Sequence, residues 1–187
     1  MAAPEFEIFW SDLTGSDMLA LGLFLAVAAA PYVVAWKQET SIALATVLSL
    51  LLVTFYQMII DFGLFDFTPM AFLTLIPAIA DHPDQVHRFF TSAWLHANWI
   101  HVLGNILVIA LAGVPLEQRM GRSRWIVIYF IGLLGGNISW VLTHPESYSP
   151  ALGASGAAFG ILGAYMACWP YDRIEFPLLF FIRAWPV

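Results

Sequence analysis

Long apolar runs separated by short polar joints organise this chain. About Met18 to Trp36, Ser41 to Ile60, Trp99 to Leu116, Trp125 to Thr143 and Ser155 to Tyr171 each read as a nearly unbroken apolar stretch. A helix needs about 20 mostly apolar residues to cross a bilayer. These runs reach that length or come close, and the third, the short one, is flanked by aromatic residues. Their apolar positions are continuous rather than alternating, which favours helices over barrel strands. Phe176 to Val187 is also apolar, but it is short and interrupted by Pro177, Arg183 and Pro186. The pattern predicts an all-α membrane protein, a polytopic transmembrane helix bundle with about five spans.

The joints orient the spans. Lys37 lies between the first two, Arg119, Arg122 and Arg124 between the third and fourth, and Arg173 and Arg183 after the fifth. If spans alternate, all six fall on one side, and only Arg88 joins most of the acids on the other. Cytoplasmic loops carry the excess of Lys and Arg. An integral, multi-pass protein is therefore expected, with the Arg119–Arg124 loop cytoplasmic and the N-terminus outside. The first 17 residues hold Glu5, Glu7, Asp12 and Asp17 without Lys or Arg, which argues against a cleaved signal peptide. The connection from Asp61 to Asn98 mixes Phe62, Phe65, Phe67, Phe72 and Trp94 with turn formers, as suits amphipathic segments lying in the outer interface.

Composition agrees. The 187 residues are 60% hydrophobic and 11% charged, with a mean hydropathy of +0.79, whereas soluble domains carry roughly a quarter charged residues. The lipid bilayer is the expected surroundings. The net charge of -6 sits in loops, and no basic patch suits nucleic acid. Cys168 stands alone, which rules out an intrachain disulfide and reads as a small buried hydrophobe.

Three constellations could carry chemistry. Gly153-Ala154-Ser155-Gly156 opens the fifth run. Glycines on both sides let the backbone bend and leave Ser155 uncrowded at a helix start, where free N–H groups can stabilise an oxyanion. Taken alone, the cluster reads more readily as packing, since Gly156 and Gly160 form a GxxxG pair and Gly163 and Ala164 extend it. His96, His101 and Asn105 gather at one end of the third run. His101 and Asn105 are four apart and share a helix face, and polar side chains at membrane depth are costly and usually functional. A metal site is a weak reading, because His96 and His101 would diverge on a helix and no carboxylate or thiolate is close in sequence. Interhelical hydrogen bonding is the structural alternative. Glu117 and Arg119, followed by Gly121, read as a structural clamp at the other end of that run.

The order of Arg88-Phe89-Phe90-Thr91, Trp94-Leu95-His96, His101 with Asn105, Glu117-x-Arg119 with Gly121, and Gly153-x-Ser155-Gly156 with Gly163-Ala164-Tyr165 resembles the rhomboid intramembrane proteases, over about Ser41–Trp169. The resemblance implies a rhomboid-like core in residues 41–187, containing four core helices, with residues 1–40 adding an outside segment and an extra helix. It implies Ser155 as nucleophile of a serine endopeptidase. His101, Asn105 and backbone N–H groups around Ala154 and Ser155 would hold the oxyanion. His96, Gly153, Gly156, Gly160, Glu117 and Arg119 would be motif or structural positions. Substrates would be transmembrane proteins cut by acyl transfer, with no cofactor and no metal.

The family places its general base, a histidine, on a sixth core helix packed against the serine helix. No histidine follows Ser155 here. A native chain continuing beyond Val187 is the favoured expectation. The alternative is an inactive rhomboid-like protein serving as a binding or structural subunit of a membrane complex. Either way the Gly156/Gly160 face is expected to be covered, by later residues or by a membrane-protein partner.

Overall fold

The computed structural model describes residues 9–60 and 69–172. The Phe176–Val187 segment, Arg173, Arg183, Phe62, Phe65 and Phe67 lie outside the described residues. Among the described residues four helices are long and apolar enough to cross a membrane: α1 (Gly15–Lys37), α2 (Ile42–Ile59), α5 (Trp99–Met120) and α6 (Arg122–Thr143). Between α2 and α5 the described chain forms short elements, including α3 (Pro69–Leu73) and α4 (Arg88–Thr91). The last helix among the described residues is α7 (Ser155–Cys168).

Each boundary has a local cause. Thr14 and Asp17 form a reciprocal cap on α1: Thr14 Oγ1 accepts from the Asp17 N–H and the Asp17 carboxylate accepts from the Thr14 N–H. Ser41 and Asn98 cap α2 and α5, each side chain accepting from the N–H three residues on. Helix α5 continues past Leu116 through a π-turn at Ile109–Gly113. Pro115 has no N–H to return to the preceding turn, and the widened turn sits where that bond is lost. Helix α7 stops at Cys168, short of the predicted Tyr171. Pro170 disfavours helical geometry at Trp169, which has φ -134° and ψ 65°. At about 1.5 Å per residue, 14 residues rise about 21 Å, less than the roughly 30 Å of hydrocarbon.

Two apolar clusters hold the bundle. One joins α2, α5, α6 and α7 through Leu50, Val102, Ile109, Trp125, Leu133 and Ile161. The other packs Leu21, Phe24 and Ala28 of α1 on Val53, Phe72 and Leu95. Polar threads reinforce the second. Tyr56 donates to the Ala20 carbonyl (2.6 Å) and Ser49 to that of Ala28 (2.7 Å), while Trp94 Nε1 donates to Ser49 Oγ (2.9 Å). Arg88 is fully buried, and its Nη1 donates to the carbonyls of Ala71 (2.9 Å) and Thr74 (2.8 Å). Burial lowers its pKa to about 10. The one cation that breaks the charge asymmetry is thus an internal strut of the 69–98 connection.

The expectation for the Gly156/Gly160 face is corrected. That face packs against α6, on Gly132 and Gly136. A Cβ on Gly160 would lie 2.8 Å from Gly132 Cα, one on Gly132 2.7 Å from the Gly156 carbonyl oxygen, and one on Gly136 3.1 Å from Gly156 Cα. Neither later residues nor a partner is needed to cover it. The two GxxxG surfaces let the helix backbones touch, leaving no room for a side chain. Gly163 does not extend this contact: nothing lies within 4 Å of where its Cβ would be. The lone cysteine, expected inside, is exposed.

Candidate active site

Backbone pairing sets the turn before α7. Leu75 and Ala151 exchange N–H···O bonds of 3.0 and 2.8 Å, and the Gly153 N–H donates to the Ser92 carbonyl at 2.8 Å. The 69–98 connection thereby fixes where α7 begins. Gly153 has φ +106°, and a Cβ there would meet His101 Nε2 at 2.6 Å and Asn105 Nδ2 at 3.4 Å. Only glycine satisfies both the left-handed backbone and the close histidine. Ser155 follows as the first residue of α7, behind Ala154, which supplies no side-chain cap. The first N–H groups of this helix therefore lack an intrahelical acceptor.

His101, Asn137, Gly153 and Ser155 line one cleft of about 480 Å³, together with Trp140, Leu152 and Phe159. Among the described residues no side chain bonds Ser155 Oγ. No hydrogen bond among the described residues uses the His101 ring, and its backbone N–H donates to Asn98 Oδ1. Asn105 stands behind Gly153 and bonds His96 Nε2 at 2.9 Å.

Sequence spacing suggested that His96 and His101 diverge, but their rings meet edge to face with centroids 5.0 Å apart. The reason is that α5 starts at Trp99, so His96 sits on the preceding segment and turns back. His96 is 2% exposed, and burial, reinforced by the neighbouring His101, lowers its pKa to about 4. His144 lies on the rim, stacked on Trp140 with a centroid distance of 3.9 Å. His82 and His87 do not line the cleft.

Glu117 lies at the far end of α5. Its carboxylate accepts from Ser41 Oγ (2.6 Å) and from the N–H groups of Ile42 and Ala43 (both 2.8 Å), with Arg122 Nε 3.8 Å away. A buried anion thus caps the start of α2. Arg119 does not pair with Glu117. It pairs with Asp172 and lies over the Trp169 ring at 4.8 Å.

Two residues escaped the sequence reading. Asn137 lines the cleft while its Nδ2 donates to the Phe89 carbonyl (2.8 Å) and Ser92 Oγ (3.2 Å). Gln57, 6% exposed, brackets the His96 peptide. Both are amides inside apolar spans, which is the signal that could have found them.

A helical membrane bundle with a serine at the head of a short helix, lining a cleft it shares with His101 and Asn137, defines the class. A family model described as a Rhomboid domain matches residues 83–186, and the chain belongs to the rhomboid family. It is 42% identical over 86 residues to RHOMBOID-like protein 1 of Arabidopsis thaliana, covering 46% of this chain and 22% of that protein. It is 45% identical over 80 residues to RHOMBOID-like protein 2 of the same plant, covering 43% and 25%. It is 38% identical over 79 residues to the Putative rhomboid protease YdcA of Bacillus subtilis (strain 168), covering 42% and 39%. The matched segments span well under half the length of these relatives. No solved structure matches the chain.

Proposed function

We propose that this protein is a serine endopeptidase that cleaves transmembrane substrates within the bilayer by acyl transfer. The observation that carries the reading is the convergence at Gly153. His101 Nε2 and Asn105 Nδ2 both face the turn that leads into Ser155 and into the unbonded N–H groups of α7. Ser155 Oγ would attack a peptide carbonyl in the cleft while these donors hold the oxygen that becomes negative. The short α7 supports a site below the membrane surface. Standing upright with its last turn at one hydrocarbon boundary, a helix of this length would place its first residue roughly 9 Å short of the other.

The attacking hydroxyl must lose its proton to a base within hydrogen-bond reach. The one histidine lining the cleft among the described residues is His101, and no histidine follows Ser155 in this sequence. Because no side chain among the described residues bonds the Ser155 hydroxyl, a second reading stands beside the first, a catalytically inactive rhomboid-like subunit of a membrane complex. The native full-length protein decides between them. Covalent labelling by a fluorophosphonate and cleavage of a model transmembrane substrate, both lost in Ser155→Ala, are expected of the protease. Substrate cleavage that persists in Ser155→Ala would remove the nucleophile assignment, and absence of labelling in the native protein would favour the subunit.

The charge asymmetry supports an N-terminus outside and Arg119–Arg124 inside. With Cys168 replaced by alanine, a cysteine at Asp12 should react with an impermeant thiol reagent on intact cells and one at Ser123 should not. The reverse pattern would invert the topology. We further assign residues 1–40 to an addition ahead of a rhomboid-like core at 41–187, a division that rests on the sequence resemblance from Ser41 onward.

A further inference from the structure

We infer that His96 is a positioning residue that fixes the orientation of the Asn105 amide, so that Asn105 offers an N–H rather than its oxygen to the Ser155 site. The inference rests on the proposed protease reading and adds to it a residue that touches neither substrate nor nucleophile.

The argument runs from one backbone carbonyl. His96 Nδ1 lies 3.2 Å from the Trp94 carbonyl oxygen, which can only accept, so Nδ1 carries the hydrogen. A neutral imidazole has a single N–H, so Nε2 presents a lone pair. Its partner, 2.9 Å away, is the Asn105 amide, which must therefore turn its NH₂ group toward the ring. Had Asn105 turned the other way, two lone pairs would face each other in a buried site. One hydrogen of Nδ2 is thus spent on His96. The other remains, on an atom 3.4 Å from where a Gly153 side chain would begin, beside His101 Nε2 at 2.6 Å from the same point.

The imidazole has little freedom to undo this. The His96 peptide is held from α2, its N–H donating to Gln57 Oε1 (3.4 Å) and its carbonyl accepting from Gln57 Nε2 (3.2 Å). Trp94, whose carbonyl sets the tautomer, is tied to α2 by its own indole N–H. The ring is buried, and the titratable neighbour facing it is His101. Burial and that neighbour keep His96 neutral, as the tautomer argument requires.

The test compares two polar replacements in the full-length protein. The side-chain oxygen of glutamine reaches about as far as Nε2 and can accept from Asn105, whereas asparagine reaches only as far as Nδ1. His96→Gln should keep kcat within about 10-fold. His96→Asn should lose kcat by up to the roughly 10²–10³-fold expected for one oxyanion donor, with KM little changed. His96→Asn combined with Asn105→Ala should be no slower than Asn105→Ala alone, because both act through one amide. Independently of activity, ¹⁵N spectra of histidine-labelled protein should show the His96 ring with hydrogen on Nδ1 only. Multiplying effects in the double variant, equal losses in the Gln and Asn variants, or an Nε2–H tautomer would each overturn the proposal. Should His96→Asn not fold, the tautomer measurement still decides it. Retained turnover in Ser155→Ala is the separate result that would instead sink the protease reading.

Discussion

Helix α5 carries a buried polar centre near each end, and the two are built in opposite ways. At Glu117 the carboxylate takes three hydrogen bonds, two from the first N–H groups of α2 and one from Ser41. At the other end His96 and Asn105 bond each other, while the ring nitrogens of His101 and the hydroxyl of Ser155 have no bonding partner among the described residues. Buried polar groups are normally satisfied, and an unsatisfied one costs about 1–3 kcal/mol. The Glu117 centre therefore accounts for itself as architecture. The His101 and Ser155 groups face a cleft, where a substrate or water can complete their bonding. Polar residues at membrane depth announce both centres alike, and what separates them is whether the folded protein already uses their hydrogen bonds.

Substitutions can break or sharpen this contrast. The largest effect belongs to the contact that holds Ser155 in place. Gly160→Leu would drive a side chain into the Gly132 backbone, where even a Cβ comes to 2.8 Å. Rigid backbones on both sides make this worse than ordinary overpacking, which costs about 1–3 kcal/mol. Loss of the folded, non-aggregated peak in size-exclusion chromatography is expected, and a well-folded variant would refute the tight helix contact.

Next comes Ser155→Ala. Because the hydroxyl bonds no side chain, its removal should shift unfolding by less than about 0.5 kcal/mol, while turnover should fall by on the order of 10³-fold or more. Glu117→Ala should do the reverse. Stranding the first-turn N–H groups of α2 should cost about 3 kcal/mol, read as a lower unfolding midpoint, with near-normal kcat in the fraction that remains folded. A catalytic defect without a stability defect at Glu117 would collapse the distinction between the two ends.

The smallest effect is at Arg119. The Tyr165 hydroxyl and then Arg119 hold the Asp172 carboxyl below its ordinary 3.8. A depressed carboxylate contributes stability that is present above its unfolded pKa and is lost as pH falls through the folded one. The Arg119–Asp172 contribution should therefore be constant at neutral pH and fade below about pH 4. The pair is exposed and screened, so Asp172→Asn should barely move the unfolding midpoint at pH 7 and should flatten only the acid end of the profile.

Much of this was legible from the chain itself. Five apolar runs become five helices because a backbone in hydrocarbon must bond internally, and run length then sets which helices can cross. Ser155 behind Gly153, and His101 four residues from Asn105, were readable because turn chemistry and helix periodicity are local. The partner of the Gly156/Gly160 face was not. Gly132 and Gly136 carry the same spacing, but spacing does not say which two grooves meet. Cys168 misled for the same reason: an apolar run shows that a helix sits in lipid, not which of its faces meets lipid.

Only the tertiary structure joined His96 to Asn105, Gln57 to the His96 peptide, and Glu117 to the start of α2. Those contacts span 9, 39 and about 75 residues of chain. The sequence by itself determined the solvent, the helices and the residues able to do chemistry, because apolar length and side-chain type act where they stand. Which polar groups are consumed by the fold and which remain free at the cleft was decided by the packing of α2, α5, α6 and α7, because a hydrogen bond depends on ångström-scale approach between elements that are far apart in the chain.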